Sequence, residues 1–324
     1  METVIVGLDI GGTYVKIGVF DREAELIDRW QLKTVEDGKV LVEYIWNSIQ
    51  SNLPSEFNCE GIGIGIPGFI DYKNKTIIEA VNMRLYNFNI EEEFKKYTDI
   101  PVFIENDANV AALGEFWKES GDIADMTLIT LGTGVGSGII SDSEIFRGKK
   151  GMTGEIGHCI IDVDGYKCNC GRHGCLDTIA SATGIVRAAL EQPIGDSLEL
   201  LDDQEKTRRN LVAEDVFFLA KNGNKHCRSV ITHAVDSLGL ALANYAAIMN
   251  PEKILIGGGI ADAGQEFIDA IAQAFHDKAL SEVSKNTIIS KARLGNDAGI
   301  TGAAYLVCKN NQITAKDINK AQHL

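Results

Sequence analysis

One histidine and three cysteines have the spacing of a metal site. Nine residues separate His158 from Cys168, and Cys170 and Cys175 follow in the same glycine-containing loop. One imidazole and three thiolates form a closed tetrahedral ligand set for Zn²⁺. Because four protein ligands leave no open coordination position, we expect a structural zinc ion. The alternative is a group of unmetallated thiols, and we interpret the nearby His173 as a solvent-exposed residue.

A second set of polar residues, Glu105-Asn106-Asp107-Ala108-Asn109, lies between a predicted strand and a predicted helix. An aspartate at such a junction can be a general base that accepts a proton from a substrate hydroxyl, with Asn106 hydrogen-bonded to the same substrate. The same aspartate can instead be the N-cap of the helix. The sequence leaves both interpretations open.

Three glycine-rich turns follow predicted strands. They are Asp9-Ile10-Gly11-Gly12-Thr13, which precedes Lys16, the run 132–138, and the run 257–259. Glycine lets backbone N–H groups approach phosphate oxygens, and an acidic residue at a strand end can hold hydrated Mg²⁺. Each turn alone can be a simple hairpin connection, but the three together indicate a phosphate-binding site. It is not a Walker loop, because no Gly-Lys-Ser/Thr sequence closes the second run.

Alternating strands and helices must position these residues. Apolar runs predict strands at 4–9, 15–20, 61–66, 101–105, 127–131 and 253–256, and helical spacing predicts a long helix at 228–250. This alternation is typical of α/β proteins. The strand–glycine turn–strand pattern near the start recurs about 120 residues later, which indicates a duplicated α/β domain.

Composition narrows the class of protein. The chain has 324 residues, 45% of them hydrophobic, and a formal net charge of −15. Because a surface this acidic repels phosphate backbones and anionic lipids, we expect neither nucleic-acid nor membrane binding. The first residues show no cationic segment of a signal peptide, and the clustered cysteines suit a reducing compartment. We therefore expect a cytoplasmic protein.

Five motifs, in this order, resemble the ROK family of bacterial sugar kinases and repressors. They are Asp9-Ile10-Gly11-Gly12-Thr13, Glu105-Asn106-Asp107-Ala108-Asn109, Leu131-Gly132-Thr133-Gly134-Val135-Gly136, Gly154-Glu155-Ile156-Gly157-His158 and the Cys-x-Cys-Gly-x-x-Gly-Cys loop. The resemblance continues through 179–184 to 294–299 and so covers nearly the whole chain. Within the family, the sequence most resembles the glucokinases of low-GC Gram-positive bacteria.

The resemblance implies an actin-like, hexokinase-type fold in which two ribonuclease-H-like α/β lobes close over ATP and a hexose. Residues 1–115 would form a smaller lobe, completed by a C-terminal helix at about 300–324, and residues 116–299 a larger lobe with the zinc loop and the nucleotide contacts. The implied activity is ATP- and Mg²⁺-dependent phosphorylation of a hexose at its 6-hydroxyl, above all glucose to glucose 6-phosphate. The resemblance also implies a homodimer.

The resemblance further implies roles for individual residues. Asp107 would be the catalytic base that deprotonates the sugar. The other residues at the sugar would be Gly68, Asn82, Asn106, Glu155, His158 and Asp177. The residues facing phosphates and Mg²⁺ would be Asp9, Gly11, Gly12, Thr13, Lys16, Thr133 and Gly134. Gly258 and Gly259 would approach the nucleotide, and His158, Cys168, Cys170 and Cys175 would bind zinc.

The chain departs from the family pattern at two places, both on the sugar side. The cysteine loop ends in Cys175-Leu176-Asp177, where the family usually has glutamate in the third position. Asn82-Met83-Arg84-Leu85 replaces the usual Asn-Leu-x-Trp of the glucokinases. N-acetylmannosamine, mannose, fructose or a β-glucoside are therefore alternative substrates. Asp177 can also be a cap for the helix that follows it.

Two other classes of protein remain as rivals. A ROK repressor that senses sugar needs an N-terminal helix-turn-helix of some tens of residues, yet Asp9 lies only eight residues from the start of this sequence. A sugar-binding protein without activity would not need Asp107, Asp9 and Lys16 together. Both rivals are therefore less well supported than a kinase.

Overall fold

The computed structural model describes residues 2–192 apart from 24, 55 and 120–122, together with residue 201 and residues 210–311. Within these residues, two five-stranded mixed sheets and one three-stranded sheet are flanked by helices, which confirms the predicted α/β class. Residues 312–324, the end of the predicted C-terminal helix, lie outside this range. The division of the chain at residue 115 remains a prediction. Within the described ranges, no helix has the length and apolar character needed to cross a bilayer.

The first five-stranded sheet has the order β3-β2-β1-β4-β8. Its strands are β1 (Glu2–Ile10), β2 (Tyr14–Phe20), β3 (Leu26–Lys33), β4 (Phe57–Ile66) and β8 (Val102–Asn106). The strands β1, β2 and β3 pair antiparallel, whereas β4 pairs parallel with both β1 and β8. Helix α1 (Gly38–Asn52) buries Leu41, Ile45 and Ile49, which recur at helical spacing, and α2 (Ile90–Phe94) is short.

The second five-stranded sheet has the order β11-β10-β9-β12-β13. Its strands are β9 (Met126–Leu131), β10 (Val135–Ser141), β11 (Glu144–Ile145), β12 (Lys253–Gly257) and β13 (Ile288–Lys291). An antiparallel β9–β10 hairpin and the parallel neighbours β12 and β13 repeat the arrangement of the first sheet. The sequence repeat thus corresponds to a repeated strand topology.

A small antiparallel sheet is inserted between β4 and β8. It consists of β5 (Phe69–Asp71), β6 (Thr76–Ala80) and β7 (Leu85–Phe88). Its inner face contributes Ile70, Ile77 and Leu85 to the apolar cluster of the first sheet. The insertion therefore shares a core with that sheet.

Two helices join the two large sheets. Helix α3 (Asp107–Lys118) packs against β9 and β10, α10 (Ala298–Asn310) packs against β1 and β4, and the two helices pack on each other. Their backbones are in direct contact, because a Cβ atom at Gly302 would lie 1.6 Å from the carbonyl oxygen of Val110. This close packing fixes the start of α3, and with it Asp107, relative to both sheets.

The remaining helices cover the second sheet. They are α4 (Asp177–Ala180), α5 (Ala182–Leu190), α6 (Ala213–Lys221), α7 (Lys225–Met249), α8 (Gln265–His276) and α9 (Ser281–Asn286). The long helix α7 begins before its predicted start at 228, because the Asn224 side chain caps it by accepting from the Cys227 N–H. It ends where Asn250 adopts a left-handed conformation before Pro251.

Candidate active site

A cavity of about 670 Å³, which we call the polar cavity because charged side chains project into its lining, is bounded by residues from both large sheets. It collects predicted site residues from distant parts of the chain, namely Asp9, Lys16, Asp107, Thr133, Gly134, Glu155, His158, Asp177 and Gly258. Carboxylates, an ammonium group, an imidazole and glycine turns thus converge in one space. Such a space can hold a ligand that carries both hydroxyl and phosphate groups.

Asp107 is the first residue of α3 and lines this cavity. The N-cap is the preceding residue, Asn106, whose Oδ1 accepts from the backbone N–H groups of Ala108 and Asn109 at 2.9 and 3.3 Å. Burial raises the pKa of Asp107, an effect that a hydrogen bond from the Ala108 N–H opposes and the charge of Asp9 reinforces. The Asp107 carboxylate is therefore a stronger base than an exposed aspartate.

Asp9 and Lys16 face each other across the β1–β2 hairpin. Lys16 Nζ lies 3.7 Å from Asp9 Oδ2 and donates to the backbone carbonyl of Asn296 at 3.2 Å. Burial raises the pKa of Asp9, and the charge of Lys16 opposes that shift. This end of the cavity offers a carboxylate for a hydrated cation and an ammonium group for phosphate.

The turn of that hairpin lies outside the cavity lining. Gly11 donates its N–H to the Tyr14 carbonyl at 2.9 Å, while Gly12 and Thr13 are exposed. The hairpin interpretation therefore describes the local backbone correctly. The predicted phosphate contacts of Gly11, Gly12 and Thr13 remain a prediction, and Asp9 and Lys16 are the members of this motif that line the cavity.

The second glycine turn, between β9 and β10, is held by side chains from other segments. Asp177 Oδ1 accepts from the Val135 N–H at 2.7 Å, and Thr183 Oγ1 donates to the Thr133 carbonyl at 2.9 Å. A Cβ atom at Gly134 would lie 2.8 Å from Asp177 Oδ1. No side chain caps α4, so Asp177 stabilises the glycine turn and does not serve as a helix cap.

The four predicted zinc ligands form a compact cluster. One ligand atom from each of His158, Cys168, Cys170 and Cys175 lies within 4.8 Å of the others. Cys168 Sγ is 3.6 Å from His158 Nδ1, and Cys170 Sγ is 3.6 Å from Cys175 Sγ. Tetrahedral zinc with ordinary bond lengths requires separations of about 3.6 Å for nitrogen–sulfur pairs and about 3.8 Å for sulfur pairs. The geometry therefore fits a zinc ion.

The cluster is connected to the cavity through the imidazole of His158. Its Nδ1 faces Cys168, while its Nε2 lies 3.9 Å from Glu155 Oε2. Hydrogen bonds from Arg172 lower the pKa of Cys170 to about 6, whereas burial raises that of Cys175 to about 12. Metal binding at neutral pH therefore displaces protons, and its affinity must fall in acid. His173 is exposed, as predicted.

Three further predicted sugar-binding residues, Gly68, Asn82 and Asn106, are not among the residues that line the polar cavity. Gly68, with a φ of 111°, accepts at its carbonyl oxygen from Asn106 Nδ2 at 3.4 Å, so the Gly68 and Asn106 segments are in contact. Asn82 lies in a 3₁₀ turn (Val81–Met83), and the description of this residue is limited to its backbone. The sugar contacts of these three residues remain predictions.

Gly259 lines a second cavity of about 700 Å³, which is largely apolar. Its walls come from α6, α7, α8 and the turn after β12, with Phe217, Ile231, Ile260 and Phe267 among the lining side chains. Gly258 lines the polar cavity, so adjacent residues of one turn border both spaces. The turn after β12 is therefore a boundary that the two cavities share.

Sequence reasoning missed several polar residues at the site. Asn169 and Asn296 line the polar cavity, and Glu115 accepts from the backbone N–H groups of Arg293 and Leu294 next to it. Asn169 and Asn296 stand inside motifs that were recognised, so their position in those motifs was an available signal. Glu115 had no such signal, because its partners are almost 180 residues away.

Comparison with known proteins identifies relatives of this chain. The sequence profile of the ROK family matches residues 5–310 of this chain. A glucokinase of Halalkalibacterium halodurans is 41% identical, covering 93% of this chain and 94% of that protein. A xylose repressor of Caldicellulosiruptor bescii is 29% identical, covering 94% of this chain and 77% of the repressor.

A solved structure extends the comparison to three dimensions. The ROK family glucokinase of Streptomyces griseus, in complex with glucose and AMPPNP, matches with a TM-score of 0.78 and 30% identity over 94% of this chain and 98% of that one. The expected actin-like, hexokinase-type fold is thereby confirmed. The chain belongs to the ROK family of proteins.

Proposed function

We propose that this protein is a glucokinase, which transfers the γ-phosphoryl group of ATP to the 6-hydroxyl of glucose. The observation that carries the proposal is Asp107, a partly buried carboxylate of raised pKa that lines the cavity between the two large sheets. The 41% identical glucokinase supports glucose as the substrate. The Streptomyces griseus glucokinase, which binds glucose and AMPPNP, supports a nucleotide in the same fold.

In this reaction the sugar O6 attacks the γ-phosphorus in line with the bond to the β–γ bridging oxygen. The O6–phosphorus bond forms, the bond to the bridging oxygen breaks, and ADP leaves. Asp107 accepts the hydroxyl proton as O6 gains its bond to phosphorus. Glu155 and the Nε2 atom of His158 would orient other hydroxyls, because both groups line the cavity with Asp107.

The phosphates would lie between Lys16 and the glycine turn at 132–136, both of which line the polar cavity. Lys16 would neutralise phosphate charge, and the backbone N–H groups of the turn would donate hydrogen bonds. Asp9 would hold Mg²⁺ through its hydration shell, and the bound cation would supply neutralisation of the developing negative charge. The adenine ring would occupy the apolar cavity beyond Gly259.

We further propose a structural role for zinc. Four ligands complete a tetrahedral set, so the ion would hold the loop that carries His158 and Asp177 without contacting phosphate. We also propose that the enzyme is a cytoplasmic homodimer that binds neither nucleic acid nor membranes. The net charge of −15 supports the last part, because it opposes binding to polyanions.

An assay of ADP release with a panel of hexoses at fixed MgATP tests the proposal. We expect the highest kcat/KM with glucose and lower values with mannose, fructose, N-acetylmannosamine and a β-glucoside. A higher kcat/KM for another hexose would show that this other hexose, and not glucose, is the preferred substrate. Absence of sugar-dependent ADP release with every member of the panel would overturn the kinase assignment.

A further inference from the structure

Glu105 is a fully buried carboxylate two residues before Asp107. Its Oε1 accepts from the backbone N–H of Asn106 and from Asn109 Nδ2, each at 2.9 Å, and from the Tyr72 hydroxyl. Its Oε2 accepts from Arg147 Nε at 2.6 Å. Two of these donors belong to Asn106, the N-cap of α3, and to Asn109 in the first turn of that helix. The carboxylate therefore fixes the backbone from which Asp107 projects.

The other two donors come from different sheets. Tyr72 directly follows β5 of the small sheet, and Arg147 follows β11 of the second large sheet, whereas Glu105 lies in β8 of the first. The Arg147 guanidinium also lies over the Tyr72 ring, 4.9 Å from its centroid. One buried charge thus connects three sheets at the edge of the active site.

Arg147 also begins the segment that leads to Glu155 and His158. Its carbonyl accepts from the Thr153 N–H at 3.3 Å, and the same segment packs on Tyr72 at Gly151, where a Cβ atom would lie 2.4 Å from the ring. A shift of Arg147 relative to Glu105 must therefore change the distance between this segment and the start of α3.

We propose that Glu105, Arg147 and Tyr72 are positioning residues that set the Asp107 carboxylate against segment 147–158, which carries Glu155 and His158. This inference rests on the proposed function, since that function assigns Asp107 and the segment their roles. A buried ion pair is not in itself a strong source of stability, whereas loss of one partner leaves an uncompensated charge. The arrangement fits a role in holding the Asp107 carboxylate in place, because small displacements of a catalytic base reduce the rate of proton and phosphoryl transfer.

Substitution of Arg147 tests the proposal, with a second buried ion pair as the matched control. Lys253 Nζ lies 2.8 Å from Glu119 Oε2, and this pair links β12 to the residue after α3, at the end of the helix far from Asp107. Arg147→Met removes the charge, Arg147→Lys retains it, and Lys253→Met removes the control pair. Tyr72→Phe and Glu105→Gln weaken the same network more gently.

We expect Arg147→Met to lower kcat by about 10- to 100-fold with a smaller change in either KM, and Arg147→Lys to recover part of the loss. Lys253→Met should lower the melting temperature but keep kcat within about twofold. If Arg147→Met does not fold, Tyr72→Phe and Glu105→Gln must lower kcat in the same manner. Wild-type kcat in the folded variants, or an equal loss in Lys253→Met, would overturn the proposal.

Hydrogen exchange provides a readout that does not depend on activity. Arg147→Met should accelerate amide exchange in the peptide that covers residues 105–110, and Lys253→Met should not. Unchanged exchange in Arg147→Met would overturn the positioning role even in a protein without kinase activity. If the wild-type protein is inactive with every hexose, while Arg147→Met still accelerates exchange and Lys253→Met does not, the result would contradict the proposed function alone.

Discussion

The two glycine hairpins have the same topology but different chemistry. In each hairpin, the second residue pair from the turn faces the site. This pair is Asp9 and Lys16 in the β1–β2 hairpin, and Thr130 and Gly136 in the β9–β10 hairpin. All four residues line the polar cavity. The first hairpin thus supplies charged side chains, while the second supplies backbone groups and space. A repeated fold has been used for two complementary tasks at one site.

The glycine turn of the second hairpin receives a carboxylate from another segment of the chain, through the hydrogen bond between Asp177 and the Val135 N–H. Asp177 follows Cys175, a ligand of the metal cluster. The cysteine loop is therefore connected both to His158 on the proposed sugar side and to the proposed phosphate side. This connection predicts that damage to the two hairpins will have different kinetic signatures.

Among substitutions that distinguish the two hairpins, Lys16→Ala in the β1–β2 hairpin is expected to have the largest kinetic effect. Loss of the ammonium group should raise KM for ATP by about 10- to 100-fold, while KM for glucose stays within about threefold. Steady-state kinetics with each substrate varied in turn measure the difference. Lys33→Ala is the control, since it removes an exposed lysine from neighbouring β3. Equal effects of the two variants on ATP would contradict the role of Lys16.

The metal cluster should affect sugar more than nucleotide. Cys170→Ser should abolish the binding of one zinc ion per chain, lower the melting temperature by about 5 °C or more and raise KM for glucose, because His158 loses its fixed orientation. Metal analysis and thermal unfolding of the purified protein test this. Cys159→Ser, at an exposed cysteine next to His158, should retain the metal. Zinc retained in Cys168→Ser plus Cys170→Ser would contradict the assignment.

Asp177 is expected to give the smallest effect. Asp177→Ala removes the acceptor for the Val135 N–H, which is worth about 1 kcal/mol, so KM for ATP should rise by about fivefold. Asp177→Glu is longer by about 1.5 Å, and it should alter KM among sugars that differ at C1 or C2 while kcat for glucose changes only a few-fold. If Asp177→Ala changes only the sugar KM, its main contact is with the sugar.

The sequence alone predicted those features whose interacting residues lie close together in the chain. The zinc ligands lie within 18 residues, and their chemistry identifies them without a fold. The glycine hairpins and the long helix α7 follow from local patterns in the same way. The junction at Asp107 was also recognised, although the N-cap turned out to be its neighbour Asn106.

Contacts between distant segments could not be predicted from local patterns. Glu105 meets Arg147 42 residues away, and Lys16 meets the Asn296 carbonyl 280 residues away. Neither arginine nor lysine indicates its partner by type, since each can pair with any of the 46 acidic residues or with a carbonyl. Each pairing joins segments that come together only in the folded chain, and local sequence patterns do not reveal which segments these are.

The central claim is that Asp107 is the base. Because burial raises its pKa in the folded state, the folded protein holds that proton more tightly than the unfolded chain, so this group's contribution to stability is lost as the pH rises through the raised pKa. Asp107→Asn has no charge to bury. It should therefore keep or increase the melting temperature at pH 8.

The decisive measurement is kcat for glucose phosphorylation by Asp107→Asn, made on protein whose fold and sugar binding have been verified. We predict that kcat falls by about 10²- to 10⁴-fold, while the dissociation constant for glucose changes little because the amide still forms hydrogen bonds. A folded variant that retains more than about a tenth of the wild-type kcat would contradict the account.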